Sequence, residues 1–184
     1  MNGYLRAALT VPYGYLKLGL TKLFHFRNMN FGSLPRISAG TEISVDNGAQ
    51  LFIGKKFNMR GSARIRVRSK GCLTIGDNVS INVNNMIACH EKIVIGDGVQ
   101  FSPNVQIYDH DHDFRAEGGI SAGKYKTAPV VIGNNCWIGA NSVILRGTTI
   151  GNNVVIGAGS VVLGNIESDS VYVQKRISIV KRAM

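Results

Sequence analysis

The chain has 184 residues, enough for one domain with a sizeable buried core, and 45% of them are hydrophobic. Its three cysteines, Cys72, Cys89 and Cys136, lie far apart with no CxxC pair. That argues against a disulfide framework or a structural zinc site and for a reducing, cytoplasmic compartment. A formal net charge of +10 points to an anionic partner. No stretch reaches the roughly 18 apolar residues of a membrane span, and Pro12 and Lys17 interrupt what would be the apolar part of a signal peptide.

From Met1 to Thr41 there is no acidic residue, whereas Arg6, Lys17, Lys22, Arg27 and Arg36 are basic. Leu5, Leu9, Tyr13, Leu16, Leu20 and Phe24 recur at helical spacing, with Pro12 marking a break or kink. Residues 1–36 are therefore expected to form an amphipathic segment of two short helices. Two uses are open to it: capping the end of the core that follows, or docking on an anionic membrane surface.

From Ile37 onward a period of six takes over. Weak copies start at Ile37, Ile53, Met59, Ile65, Ile81 and Ile87, and clearer ones at Ile75 and Ile95. The run is cleanest at Ile132-Gly-Asn-Asn-Cys-Trp, Ile138-Gly-Ala-Asn-Ser-Val, Ile144, Ile150 and Ile156. Neither a helix nor a simple alternating strand repeats in sixes over this length. A short strand, a turn and a strand on a new face does, with one aliphatic residue per face pointing inward. Three faces make a coil of 18 residues, coils stack at ~4.8 Å, and glycine after the aliphatic lead permits the corner. Stacking then supplies the core that one coil lacks.

Within this frame "ARIRVRSK", residues 63 to 70, reads as a strand with Ile65 and Val67 inward and Arg64, Arg66 and Arg68 as an outward basic stripe. It is either a solvated face or a site for an acidic saccharide or nucleotide diphosphate. No helix-turn-helix, RRM or zinc-finger pattern accompanies it, so nucleic acid is not expected. The frame breaks after Ile107 and resumes at Ile132. Residues 109–128 between them are polar and Gly-rich, and are read as a functional loop thrown out of the coil. At its root stands "DHDHDF", with His110 and His112.

These hexads resemble those of the hexapeptide-repeat acyltransferases, over residues 37 to 165. The resemblance implies an all-β fold: a left-handed parallel β-helix over residues 37–168, with a short N-terminal helical segment, a protruding loop and a C-terminal segment, 169–184. That last segment lacks the Gly-x-Pro step usual after the final coil. Among these enzymes the chain is most similar to the maltose/galactoside and polysaccharide O-acetyltransferase group. There Pro-x-Val-x-Ile/Leu-Tyr leads into a histidine four residues after the aromatic position, and here Pro103 to Tyr108 leads to His112 at that spacing.

By this resemblance His112 is the general base of an acetyl-CoA-dependent O-acetyltransferase, a task suited to an imidazole titrating near neutrality. Asn82, Asn84, His90, Tyr108, Asp109 and Trp137 are implied around a saccharide acceptor, with His90 standing where the family has an aspartate. Trp137, Gly139, Ala140, Ala158, Gly159 and Ser160 are implied along acetyl-CoA, with the Ala140 N–H as an oxyanion donor. The family also implies a homotrimer with active sites between subunits, and no metal. Two alternatives stand beside it. One is a metal-dependent hydratase of the hexapeptide carbonic anhydrase type, using His90, His110 and His112. The other is a non-catalytic β-helix whose loop recruits a partner. The acceptor is left open among a sugar nucleotide, a lipid-linked oligosaccharide, a free sugar and an amine.

Overall fold

In a computed structural model of the chain, which describes residues 3–25, 27–68 and 70–175, a triangular coil stacks upon a single N-terminal helix. Arg176 to Met184, part of the expected C-terminal segment, lie outside the described residues, as do the side chains of Leu5 and Arg6. Among the described strands all but two fall into three parallel sheets of seven, seven and six, one per face. The first face runs from Met29–Phe31 to Asn165–Ile166, the second from Arg36–Ile37 to Val171–Tyr172, and the third from Glu42–Val45 to Val161–Val162. The coil thus begins at Met29, before the expected boundary at residue 37.

Every hexad lead is buried. On the second face Ile37, Met59, Ile81, Phe101, Ile138 and Ile156 stand in register one above the other. Coil length departs from the expected 18. The partners Phe31, Ile53 and Ile75 are 22 residues apart, and only from Ile132 to Ile150 does the spacing settle at 18. The early coils carry four-residue strands on two faces, such as Gln50–Ile53 and Arg64–Val67. Strand alternation puts two side chains inward on each, Leu51 with Ile53 and Ile65 with Val67, so the core there is wider.

Helix α1 (Gly3–Phe24) closes the open first coil. Leu18 is wholly buried, and a Cβ on Gly14 would collide with the Pro35 carbonyl, so the helix backbone lies directly on the coil. The expected break at Pro12 does not occur: one helix runs through it. Pro12 and Ala8 are both on the exposed side, so the carbonyl that loses its N–H partner meets solvent and the helix need not bend to rescue it.

The basic stripe is largely paired. Arg66 makes a two-pronged bond to Glu42, Nε to Oε1 at 2.8 Å and Nη2 to Oε2 at 3.2 Å, and Arg68 Nη1 donates to Asp46 Oδ1 at 2.9 Å. Strand Arg64–Val67 pairs in register with Glu42–Val45, which places these charges side by side. The Arg66 guanidinium holds the Glu42 carboxyl below its ordinary value. The stripe is thus a ladder of ion pairs, not a bare cationic surface.

Candidate active site

The inward column of the third face ends in a carboxylate. Tyr108 pairs with Ala88, so Asp109 comes level with Cys89 and continues the column Val45, Val67, Cys89. It is 0% exposed. Its oxygens accept the backbone N–H groups of His90 at 2.8 and 3.1 Å, Glu91 at 2.8 Å and Lys92 at 2.9 Å. His110 Nδ1 lies 3.1 Å from Oδ1. Burial pushes the Asp109 carboxyl up, but the bonds from His110, from the N–H groups of His90 and Glu91 and from Cys89 outweigh it and hold the group below its ordinary value. Burial, then the charge of Asp109, pushes the Cys89 thiol far up, so it stays neutral. The expectation that Asp109 touches the acceptor is corrected: it has no surface to offer, and its bonds fold the chain.

Beyond Asp109 the chain leaves the coil. His110–His112 pairs antiparallel with Tyr125–Thr127, His112 directly opposite Tyr125, and a short 3-10 turn, Gly119–Ala122, sits between them. Arg146 Nε donates to Asp111 Oδ2 at 2.6 Å and ties the hairpin to the next coil, while Lys126 and Asp113 bridge the hairpin itself at 3.2 Å. Strand alternation puts His110 and His112 on one side and Asp111 on the other.

That side is aromatic. The His90 and His110 rings stack at 3.7 Å, and Tyr125 covers both, its ring 4.5 Å from His90 and 5.3 Å from His110. The same tyrosine lies 4.7 Å from the exposed His112. Tyr108 meets His110 edge-on at 5.9 Å and donates its hydroxyl to Gln106 at 2.9 Å. Burial, then the neighbouring His110, hold His90 below its ordinary value, so it is neutral at pH 7. Face-to-face rings send their in-plane nitrogens outward rather than toward a shared centre. Among the described residues no group of three His, Cys, Asp or Glu is placed to hold a metal ion. Within one chain the set His90, His110 and His112 does not converge on a common point.

The other predicted residues lie along the edge where the second face turns into the third. Asn84, Asn104, Asn141 and Gly159 stack there, all left-handed, with φ of 59°, 61°, 59° and 70°. Asn82 stands beside Asn84 and uses its Oδ1 to accept the Val83 N–H. The Ala140 carbonyl accepts the Gly159 N–H at 2.7 Å, and Ala158 is exposed at this edge. Trp137 lies on the second face, exposed, its indole N–H bonded to Ser102 Oγ at 2.9 Å. Two expectations are corrected here. Ser160 is buried and its hydroxyl donates to the Gly157 carbonyl, so its side chain cannot line an outer groove. Gly139 is buried as well, and a Cβ there would strike the backbone of Ala158 and Ile156; its smallness serves coil stacking.

Residues 129–164 match the family model described as bacterial transferase hexapeptide (six repeats). Over 171 residues, 89% of this chain and 83% of its relative, the sequence is 32% identical to the putative lipopolysaccharide biosynthesis O-acetyl transferase WbbJ of Escherichia coli. The chain belongs to the hexapeptide-repeat acetyltransferases. A Nodulation protein L of Rhizobium leguminosarum bv. viciae is 44% identical over 80 residues, and the match spans only 40% of that protein's length and 42% of this chain. In fold the chain is similar to a mutant of AntD, an N-acyltransferase from Bacillus cereus crystallised with dTDP-4-amino-4,6-dideoxyglucose and Coenzyme A. The TM-score is 0.69 at 22% identity, covering 88% of this chain and 90% of that one.

As a hexapeptide-repeat acetyltransferase, the chain gathers His90, Tyr108, His110 and His112 at one edge of the third face. Asn82, Asn84, Ala140, Ala158 and Gly159 lie at the other, with a strand of up to four residues, roughly 13 Å, between them. Sequence reasoning missed Tyr125, which touches all three histidines. Its signal was an aromatic residue in a polar loop, in a "YKT" triplet that alternates like "HDH" across the hairpin.

Proposed function

We propose that the chain is an acetyl-CoA-dependent O-acetyltransferase acting on a saccharide hydroxyl in cell-surface polysaccharide or related sugar metabolism, with His112 as general base. The observation that carries this reading is the environment of His112: exposed at the root of a hairpin and backed by Tyr125, with neighbours His110 and His90 stacked beneath the same ring. The relative WbbJ, bearing the name of an O-acetyl transferase, supports the hydroxyl acceptor. Acetyl-CoA supplies the acetyl group as an activated thioester. His112 takes the proton of the acceptor hydroxyl as its oxygen attacks the acetyl carbon, and the thiolate of CoA leaves. Direct transfer with both substrates bound needs no residue acylated in between.

The proposed acceptor contacts are Asn82, Asn84, His90, Tyr108 and Trp137, and the CoA arm follows Trp137, Ala140, Ala158 and Gly159. His90 and Tyr108 stand with His112 at the hairpin edge, whereas Asn82, Asn84 and the CoA residues Ala140, Ala158 and Gly159 stand at the second-to-third edge of the same chain. A homotrimer in which the hairpin of one subunit faces the second-to-third edge of its neighbour brings them together.

Release of CoA thiol across a panel of sugars, sugar nucleotides and amino sugars is the first test. His112→Ala is expected to lower kcat by about 10²–10⁴-fold with little change in the affinity for acetyl-CoA, and His110→Ala by less. Equal, severe losses at both positions, restored by added zinc, would sink the acyl-transfer reading.

A further inference from the structure

Helix α1 is amphipathic in the reverse of the usual sense. One side, centred on Leu18 and Gly14, is buried against the coil. From Ala7 to Phe24 every exposed residue of the opposite side is uncharged. At 100° per residue Leu9, Leu16 and Leu20 lie opposite Leu18, with Leu23 and Phe24 beside them. These are well exposed, Leu23 at 70% and Phe24 at 79%. The polar residues lie on the flanks. Lys17 Nζ donates to the Thr41 carbonyl and Lys22 Nζ to Asn30 Oδ1. Capping accounts for the buried side alone, and the outer side remains an apolar stripe that water solvates poorly.

We infer that the outer side of α1 docks on an anionic lipid surface, with Leu9, Leu16, Leu20, Leu23 and Phe24 entering the headgroup boundary. Charge complementarity selects this occupant. Lys17 and Lys22 lie on the helix flanks toward the coil, Arg27 and Arg36 follow the helix in the chain, and no acidic residue occurs before Glu42, whose charge Arg66 engages. A second copy seated on the same face would bring two basic segments together, whereas anionic headgroups pair with them. No described helix is long and apolar enough to cross a membrane, so α1 would lie along the surface. The stripe also runs into a cleft of about 360 Å³ whose lining includes Phe24, Ile43 and Val45, which extends the apolar surface onto the first coil. This inference is independent of the acetyl-transfer reading: a chain without that activity would still carry the stripe.

Flotation of the full chain with lipid vesicles tests it, using phosphatidylcholine alone and two parts phosphatidylcholine to one part phosphatidylglycerol. The chain is expected to float with the anionic vesicles at low salt and to be released as salt shortens the Debye length toward about 8 Å. Replacing Leu16, Leu20 and Leu23 together by serine should lower partitioning about tenfold or more while the chain stays folded with a cooperative unfolding transition, since all three side chains are more than half exposed. Lys22→Glu with Arg27→Glu should weaken binding and flatten its salt dependence. A full chain that stays in solution with anionic vesicles at low salt overturns the inference. So does a triple-serine variant that floats equally well, or one that merely splits an oligomer into smaller species.

Discussion

Asp109 shows how one residue can look like an acceptor contact and be architectural. It sits in an inward column otherwise filled by Val45, Val67 and Cys89, and it is tolerated there because three successive backbone N–H groups and one imidazole point at it. A buried charge with that many donors is stable only while all of them are kept. Asp109→Asn presents an NH₂ group where at least one of those N–H groups also donates. The variant is expected to lose about 2–4 kcal/mol at pH 7 in denaturant titrations. The sign with pH follows from the depressed carboxyl. Its contribution is complete above the unfolded value near 3.8 and is lost as pH falls through the lower folded value. The gap between wild type and Asp109→Asn should therefore be widest above about pH 4 and narrow in more acid solution. A gap that stays constant down to pH 2 would mean that the carboxylate is not what holds the hairpin root. Because His110 is bound to Asp109 and stacked under Tyr125, the variant should also loosen His112 and lower kcat more than it raises KM.

At the scale of the element, the hexad Ile-Gly-Asp/Asn-Asn divides its work residue by residue. The lead fills the core. The second residue, expected to turn the corner, does not do so: Gly54, Gly76, Gly96, Gly133 and Gly151 have ordinary backbone, and a Cβ on any of them would strike the chain of the next coil. The third residue forms a ladder in which Asp77, Asp97, Asn134 and Asn152 each accept a backbone N–H from the coil before, at 2.6 to 2.8 Å. The fourth makes the turn, left-handed at Asn78, Asn135 and Asn153 with φ near 57°. Gly76→Ala would place a methyl 2.8 Å from the Gly96 carbonyl carbon and 2.9 Å from the Asp97 nitrogen. It should cost about 1–3 kcal/mol by overpacking, measured as a fall in denaturant midpoint. Stability equal to wild type would show that the coils separate easily. The late leads Ile132, Ile138, Ile144, Ile150 and Ile156 were legible in the sequence because burial there repeats every six residues. The 22-residue early coils were not, since two extra inward residues per coil blur the six. The hairpin was legible only as an interruption: its pairing depends on Asp109, Arg146 and Tyr125, which meet through folding and share no sequence spacing.

For the molecule as a whole, the stack of coils sets the distance between the chemistry-bearing groups, and that distance makes the subunit arrangement testable. The hairpin with His112 leaves the far end of the third face, while Ala140, Ala158 and Gly159 lie along its near end. If each site is built between neighbours in a trimer, two kinds of damaged chain can complement each other. His112→Ala removes the proposed base but leaves the second-to-third edge intact. Ala158→Trp fills that edge from an exposed position and leaves the hairpin intact. Each variant alone should transfer acetyl groups poorly. Produced together and randomly assembled in equal amounts, they should regain about a quarter of wild-type activity, because one ordered pair of neighbours in four joins an intact hairpin to an intact edge. Sedimentation should give the mass of three chains for both variants and for the mixture. A trimer whose mixture remains as inactive as its parents would place the whole site within a single chain, and the roles given to one of the two edges would then be wrong.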